Sequence, residues 1–293
     1  MKNRKMIIDC DNTFGVAGCD IDDGLAIIYA LGNACCDLLG ITTTFGNNSI
    51  DVVYPNTVKF VKDIGMPRVP VFKGGTKDGE NNMAAKFLVE MVNLYPGEIS
   101  VLATGSLTNL YEAWKVDNEF YEKVHEVSLM GGITEPLKIN GRILNELNFS
   151  CDYKAAYNVL TKGKSVKIAT GNNCMDAFFK KSDFDDKLNK SNKEFIRWLH
   201  NSLDYWFERE KKVFGHEGMY KWDIYAAAML INPHLFRDCP TYIFPDMESL
   251  KNGCLMGGGS KIKVNLPRII NKMQYENHVY EVYEEFSENL NEI

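Results

Sequence analysis

Lys5-Met6-Ile7-Ile8-Asp9-Cys10-Asp11 runs through the segment Asn12 to Ile21 into Asp22-Asp23-Gly24-Leu25-Ala26-Ile27-Ile28-Tyr29-Ala30-Leu31. The opening apolar run reads as a strand. The stretch from Asp22 reads as a helix, with acidic residues at its positive end. Asp9 and Asp11 stand two apart where the strand stops, so they point to the same side.

The same alternation continues outward from this unit. Strands are expected at Leu38–Thr43, Val69–Phe72, Ile99–Ala103, Glu126–Met130 and Ser165–Ala169. Helical patterns separate them: 51–63, 83–93, 107–114 and 152–160. Apolar strands alternating with helices imply an α/β fold, an open, mostly parallel sheet flanked by helices in the Rossmann manner. Beyond Ser182 the chain turns helical and aromatic. A helix then starts near Trp222, strands follow at Thr241–Phe244 and Ile262–Val264, and an acidic helix ends the chain. No linker rich in Pro, Gly or Ser divides it, so residues 1–293 read as a single domain.

A formal net charge of -6 argues against nucleic acid as a partner, since phosphate binding needs a basic face. No apolar run is long enough to cross a bilayer, and the amino-terminal one is too short for a signal peptide. A soluble, cytoplasmic protein with a small-molecule substrate is expected. The eight cysteines are scattered without a CxxC pair and read as reduced, mostly buried thiols.

Ligands of open parallel sheets bind beyond the carboxyl ends of the strands. The first strand delivers Asp9 and Asp11 there, and Asp20, Asp22 and Asp23 follow within fifteen residues. Bare anions do not share a cleft at that density unless their pKa values rise or a cation neutralises them. Oxygen donors without clustered His or Cys suit a hard ion, Ca²⁺ or Mg²⁺. Acids at a solvated helix start are the competing account.

Further patterns lie at later strand ends. Gly46-Asn47 follows the second strand. Gly105-Ser106-Leu107-Thr108-Asn109 follows the strand at Ile99. Met130-Gly131-Gly132 leads to Asn140, to Glu146-Leu147-Asn148, and to Asp152 with Ala155-Ala156. Trp222-Asp223 opens a helix with Ala226-Ala227-Ala228. Together with Asp9-Cys10-Asp11 and Asp22-Asp23, this ordered set resembles the inosine-uridine-preferring nucleoside hydrolase family. That family's opening is strand, Asp-x-Asp-Pro-Gly-x-Asp-Asp, helix. Here Pro is absent and Asn12–Ile21 is a longer loop.

The resemblance implies a ribonucleoside substrate and Ca²⁺ held by Asp11, Asp23, Asp223 and the backbone carbonyl of Thr108. It also implies that Asp22, Asn140, Glu146 and Asn148 bind ribose hydroxyls, that Asn47 orients the water, and that Asp9 supports from behind. Homodimers or homotetramers are implied too. The chemistry agrees: breaking an N-glycosidic bond builds a ribosyl cation, which needs negative charge and a positioned nucleophile. Asp11 beside a metal-held water can serve as general base. Trp222 replaces a histidine that many members carry before the late aspartate. It looks like the purine-preferring branch, where tryptophan stacks on the base, a role in purine salvage. A His-Gly pair that the family often carries is missing around Thr76 to Gly79.

Other readings compete. Asp9-Cys10-Asp11-Asn12-Thr13 also resembles the Asp-x-Asp-x-Thr of haloacid-dehalogenase-type phosphatases, with Asp9 as nucleophile and Mg²⁺ as cofactor. Their late acidic pair is present only as Gly171-Asn172-Asn173 before Asp176. A calcium-stabilised nucleoside or sugar sensor would not need the general base. His216, in a glycine-flanked loop, is a candidate acid for the leaving base. It shares with His125, His200, His234 and His278 the plainer expectation of a structural or solvated ring.

Overall fold

A computed structural model describes residues 3–76, 82–188 and 193–290. Lys77, Asp78 and Gly79, where the His-Gly pair is missing, lie outside the described residues. The opening stretch folds as its pattern predicts: β1 (Arg4–Cys10) is buried from Met6 onward and α1 (Asp22–Gly32) begins at Asp22. The unit then repeats through β2 (Cys36–Thr43), α2 (Ile50–Asp63), β3 (Val71–Lys73), α3 (Met83–Leu94), β4 (Ile99–Ala103), α4 (Thr108–Val116), the short α5 (Phe120–Lys123) and β5 (Val124–Met130). A hairpin, β6 (Lys138–Ile139) and β7 (Arg142–Ile143), precedes α6 (Asn148–Cys151), α7 (Tyr153–Lys162), β8 (Val166–Ala169) and α8 (Gly171–Cys174). Next come β9 (Phe178–Lys180), α9 (Lys181–Leu188), α10 (Glu194–Phe214), β10 (Gly218–Tyr220) and α11 (Trp222–Ile231). The chain ends with β11 (Phe236–Arg237), β12 (Pro240–Ile243), β13 (Ile262–Asn265), β14 (Arg268–Ile269) and α12 (Lys272–Asn289).

The main sheet has eight strands in the order β12-β13-β8-β5-β4-β1-β2-β3. Neighbours pair in parallel, except the antiparallel edge pair β12 and β13. The chain winds from β1 out to β3, then returns to the other flank of β1 with β4. The crevice beyond β1 and β4 is therefore the switch point where such folds bind ligands.

Side chains alternate across the sheet. Ile8 packs with Leu25 and Ile28 of α1, Leu230 of α11 and Tyr283 of α12. Ile7 faces the other way, toward Leu88 of α3, Leu110 of α4 and Val159 of α7. Burying both faces explains why the strand sequences lack polar alternation. All eight cysteines are free thiols. No helix among the described residues is long and apolar enough to cross a membrane.

Two features depart from the sequence reading. Val69 and Pro70 precede β3 rather than belonging to it, and the Pro70 carbonyl accepts from Ile41. Asn140-Gly141 forms the two-residue turn of the β6–β7 hairpin, with φ of 47° and 80°. Asn-Gly favours that doubly left-handed turn.

Candidate active site

The end of β1 carries two carboxylates, which meet different surroundings. Asp9 is fully buried, and its Oδ1 accepts from Thr42 Oγ1 at 2.6 Å and from Asn109 Nδ2 at 2.7 Å. Asn109 also donates to the Thr43 carbonyl, so Asp9 ties β1 to β2 and α4. Burial raises its pKa to about 7 against those two hydrogen bonds.

Asp11, equally buried, faces the loop after β2. Its Oδ2 accepts from the Asn47 backbone amide at 2.5 Å, and its carboxylate lies against that of Asp23. Burial lifts its pKa to about 6. A Cβ on Gly46 would stand 2.0 Å from Asp11 Oδ2, so the Gly-Asn motif is glycine there because Asp11 occupies the space.

Asp22 and Asp23 occupy the first turn of α1, and Asp223 the first turn of α11. One carboxylate oxygen from each lies within 4.8 Å of the other two, and all three residues are buried. The Asp223 amide donates to Asp22 Oδ2 at 3.2 Å, and Thr104 Oγ1 donates to Asp23 Oδ1 at 2.8 Å. Asn47 Nδ2 reaches Asp23 Oδ2 at 3.3 Å. Burial first, then repulsion from neighbouring acids, raises all three pKa values well above the ordinary carboxylate range. Two helix amino termini offset part of that charge. The rest calls for protons or a cation, and an all-oxygen donor set suits a hard divalent ion.

The long loop is built rather than slack. Thr13 Oγ1 donates to the Asp20 carbonyl at 2.7 Å, and Asn56 Nδ2 donates to the carbonyls of Asn12 and Phe14. The Phe14 ring packs against Phe60 and Trp198, and a Cβ on Gly24 would collide with it. The loop thereby puts Asp20 on the wall of a cavity of about 210 Å³ that Asp22, Asn47, Asp223 and Trp222 also line.

The opposite rim comes from the segment after β5. The Glu146 carboxylate accepts from the amides of Gly132, Phe149 and Ser150 at 2.8–3.1 Å, which fixes it on the cavity edge. Asn148 Nδ2 donates to the carbonyls of Thr104 and Met130, leaving its amide oxygen as the group it can offer. Trp222 is half-buried on the wall beside Asp223, with Tyr220 5.1 Å away, centroid to centroid.

Two expectations, at Thr108 and Asn140, need correction. Thr108 begins α4, so its carbonyl points into that helix, and its hydroxyl donates to Asp152 at 2.8 Å. The threonine beside Asp23 is Thr104, at the end of β4 and on the cavity wall. Asn140 is an exposed turn residue whose Nδ2 donates to the Phe214 carbonyl, away from the cavity. His216 sits in a nest of Phe178, Phe214 and Tyr220 and does not line the cavity. Asp20 and Thr104 are among the cavity residues that sequence reasoning left out of the site. The strand-end rule points to Thr104, and the count of acids already included Asp20.

Comparison with known proteins agrees with this geometry. The family described as "Inosine-uridine preferring nucleoside hydrolase" matches residues 6–276. "Probable uridine nucleosidase 2" of Arabidopsis thaliana is 30% identical over 265 residues, covering 80% of this chain and 79% of its own. Among solved structures, "Plant nucleoside hydrolase - PpNRh1 enzyme" superposes with a TM-score of 0.83 at 20% identity, covering 96% of this chain and 98% of that one. "Purine-Preferring Ribonucleoside Hydrolase from Gardnerella vaginalis" gives 0.79 at 21% identity, covering 97% and 99%.

Sheet, switch-point cavity and sequence match together define an enzyme of the N-ribohydrolase class, which splits ribonucleosides with water. The chain belongs to the inosine-uridine preferring nucleoside hydrolase family. The phosphatase alternative has no footing in the site: Asp9, its nucleophile, is sealed inside the sheet, and Asn173 is bound to the carbonyls of Leu266 and Pro267.

Proposed function

We propose that the acid-lined cavity binds the ribose of a nucleoside and that Asp11 takes the proton of the attacking water. The carrying observation is the convergence of Asp22, Asp23 and Asp223 from two helix starts, with Asp11 against Asp23. We read this as a Ca²⁺ site with Asp11, Asp23 and Asp223 as ligands, Asp22 beside them, and Thr104 supplying the threonine oxygen. A bound divalent ion would polarise water and anchor a vicinal diol. Asp22, Glu146 and Asn148 offer oxygen acceptors to the ribose hydroxyls, which turns binding into positioning. Asn47, bonded to both Asp11 and Asp23, orients the general base and the water it activates. Water adds to the anomeric carbon as its bond to the base nitrogen breaks, and the buried carboxylates stabilise the positive charge that develops.

Trp222 offers a π face to the base, and the larger purine ring gains more from stacking there. We also read the chain as one domain and a cytoplasmic homodimer or homotetramer, to be checked by sedimentation. The deciding experiment assays a panel of ribonucleosides for free ribose with calcium and with excess chelator. Ribose release that disappears in chelator and returns with calcium is expected; an undiminished rate in chelator removes the metal role.

A further inference from the structure

One carboxyl of the cavity has no place among the metal ligands or the diol acceptors. Asp20 lines the same cavity as Asp22, Asp223 and Trp222. The long loop puts it there: Thr13 Oγ1 donates to its carbonyl at 2.7 Å, and its own Oδ1 accepts from the Ile21 amide at 2.7 Å. Its carboxyl also lies against that of Asp22.

Charge around Asp20 is unbalanced. Two carboxylates in contact both stay ionised only beside a cation. A calcium ion would face Asp11, Asp23 and Asp223, three negative charges to its two. Arg209 is the guanidinium near Asp20, and it is shared with Glu210, whose Oε1 accepts from Nη1 at 2.9 Å. Among the described residues no Lys, Arg or His lines the cavity, and neither does a Tyr or Cys. The wall therefore offers a departing base no proton donor other than a carboxyl.

Position puts this charge on the base side, given the ribohydrolase reading on which the step rests. Glu210 feels the charge of Asp20 and acts on Tyr220, and Tyr220 packs against Trp222 at 5.1 Å between centroids. Glu146, the acceptor for the sugar, is fixed on the opposite rim. An indole face attracts a cation as well as stacking on a ring. We propose that Asp20 is a specificity-determining residue that selects N-ribosides whose leaving ring is cationic, the ribosylpyridinium class. Such a ring carries the charge that balances Asp20 and needs no proton to depart. The reaction stays balanced: water's oxygen bonds C1′, the electron pair of the C1′–N bond passes to the ring nitrogen and leaves it neutral, and the water's proton goes through Asp11 to solvent.

The test measures kcat/KM at saturating calcium for 1-ribosyl-3-carbamoylpyridinium and for the better of the neutral substrates inosine and uridine. Wild type is compared with Asp20→Asn and Asp20→Glu. Asp20→Asn should lower the ratio of cationic to neutral substrate roughly tenfold, and Asp20→Glu, which keeps the charge, should hold it within about twofold. In the wild type, the pyridinium riboside should also inhibit cleavage of the neutral substrate roughly tenfold more tightly than its uncharged 1,4-dihydro form. That comparison decides the matter even where a variant fails to fold. A ratio unchanged in Asp20→Asn, or equal inhibition by the two forms, overturns the proposal. A ratio that rises in Asp20→Asn makes Asp20 the proton donor to neutral bases and also overturns it. Neutral nucleosides cleaved while the pyridinium riboside stays intact defeat the selection alone; no ribose from any substrate defeats the ribohydrolase reading with it.

Discussion

Asp11 holds the Asn47 amide, abuts Asp23 and is walled by Gly46, so an asparagine in its place keeps the volume and loses the base. Asp11→Asn should lower kcat by roughly 10²–10⁴ while nucleoside still binds, as read by ribose release and calorimetry. A near-normal kcat would remove Asp11 from proton transfer. The two threonines make a sharper contrast. Thr104→Val removes a hydroxyl from Asp23 and should weaken calcium binding, whereas Thr108→Val removes one from Asp152 and should leave it near normal. Equal calcium affinities in the two variants would contradict the placement at Thr104. For Trp222→Ala, purine substrates should lose roughly 2- to 10-fold more in kcat/KM than pyrimidines. Parallel losses would count against stacking. Asp11, Asp23 and Asp223 were legible because their motifs flank predictable strand and helix ends. The placements of Asn140 and Thr108 were not, because Asn140 sits in a hairpin turn and Thr108 at a helix start, and the direction in which their groups face is set only once that turn and that helix start are formed.

Among the elements, the segment 12–21 changes most between sequence and structure. Read linearly it is an insertion of unknown path; folded, it is pinned by Thr13, Asn56 and the buried Phe14. Phe14→Ala would open a cavity beside Gly24 at the start of α1 and should cost about 3–5 kcal/mol of stability. Because α1 carries Asp22 and Asp23, activity should fall with it. Chemical unfolding and turnover on the same preparation check this, and a stable variant with full activity would show the plug to be dispensable. The central strands β4, β5 and β8, by contrast, were readable to within two residues, because they are short, apolar and covered on both faces, whereas β3 at the edge and the shortest strands were not. The hairpin at Asn140-Gly141 carried its own turn signal, a pair of residues that tolerate left-handed φ.

Across the whole molecule, the raised carboxylates link stability to pH and metal. Asp9 and Asp11 titrate at about 7 and about 6 in the fold, above the 3.8 of an unperturbed aspartate. The folded state therefore holds protons that the unfolded chain has released. The stability this adds is full below about pH 4 and is lost as pH rises through about 6 and 7. In chelator the thermal midpoint should fall from pH 5 to pH 8, and calcium should narrow the fall by favouring the ionised cluster. At a calcium concentration 100 times its Kd the added stability is about 2.7 kcal/mol at fixed pH. Thermal scans across that range, with and without calcium, decide the matter; a midpoint that rises with pH in chelator would reverse the sign argued here.

Local pattern alone was enough for the alternation of strand and helix, since periodicity is written along the chain; the run of acids left a hard-ion site and a solvated helix start both open, and the ordered motifs' resemblance to a family pointed to the chemistry. Which acids meet depended on the switch between β1 and β4 and on the packing of α1 beside α11, which brings residues 22 and 223 into hydrogen-bond contact. Contact across that distance is set by helix packing, and spacing in the chain carries no measure of it.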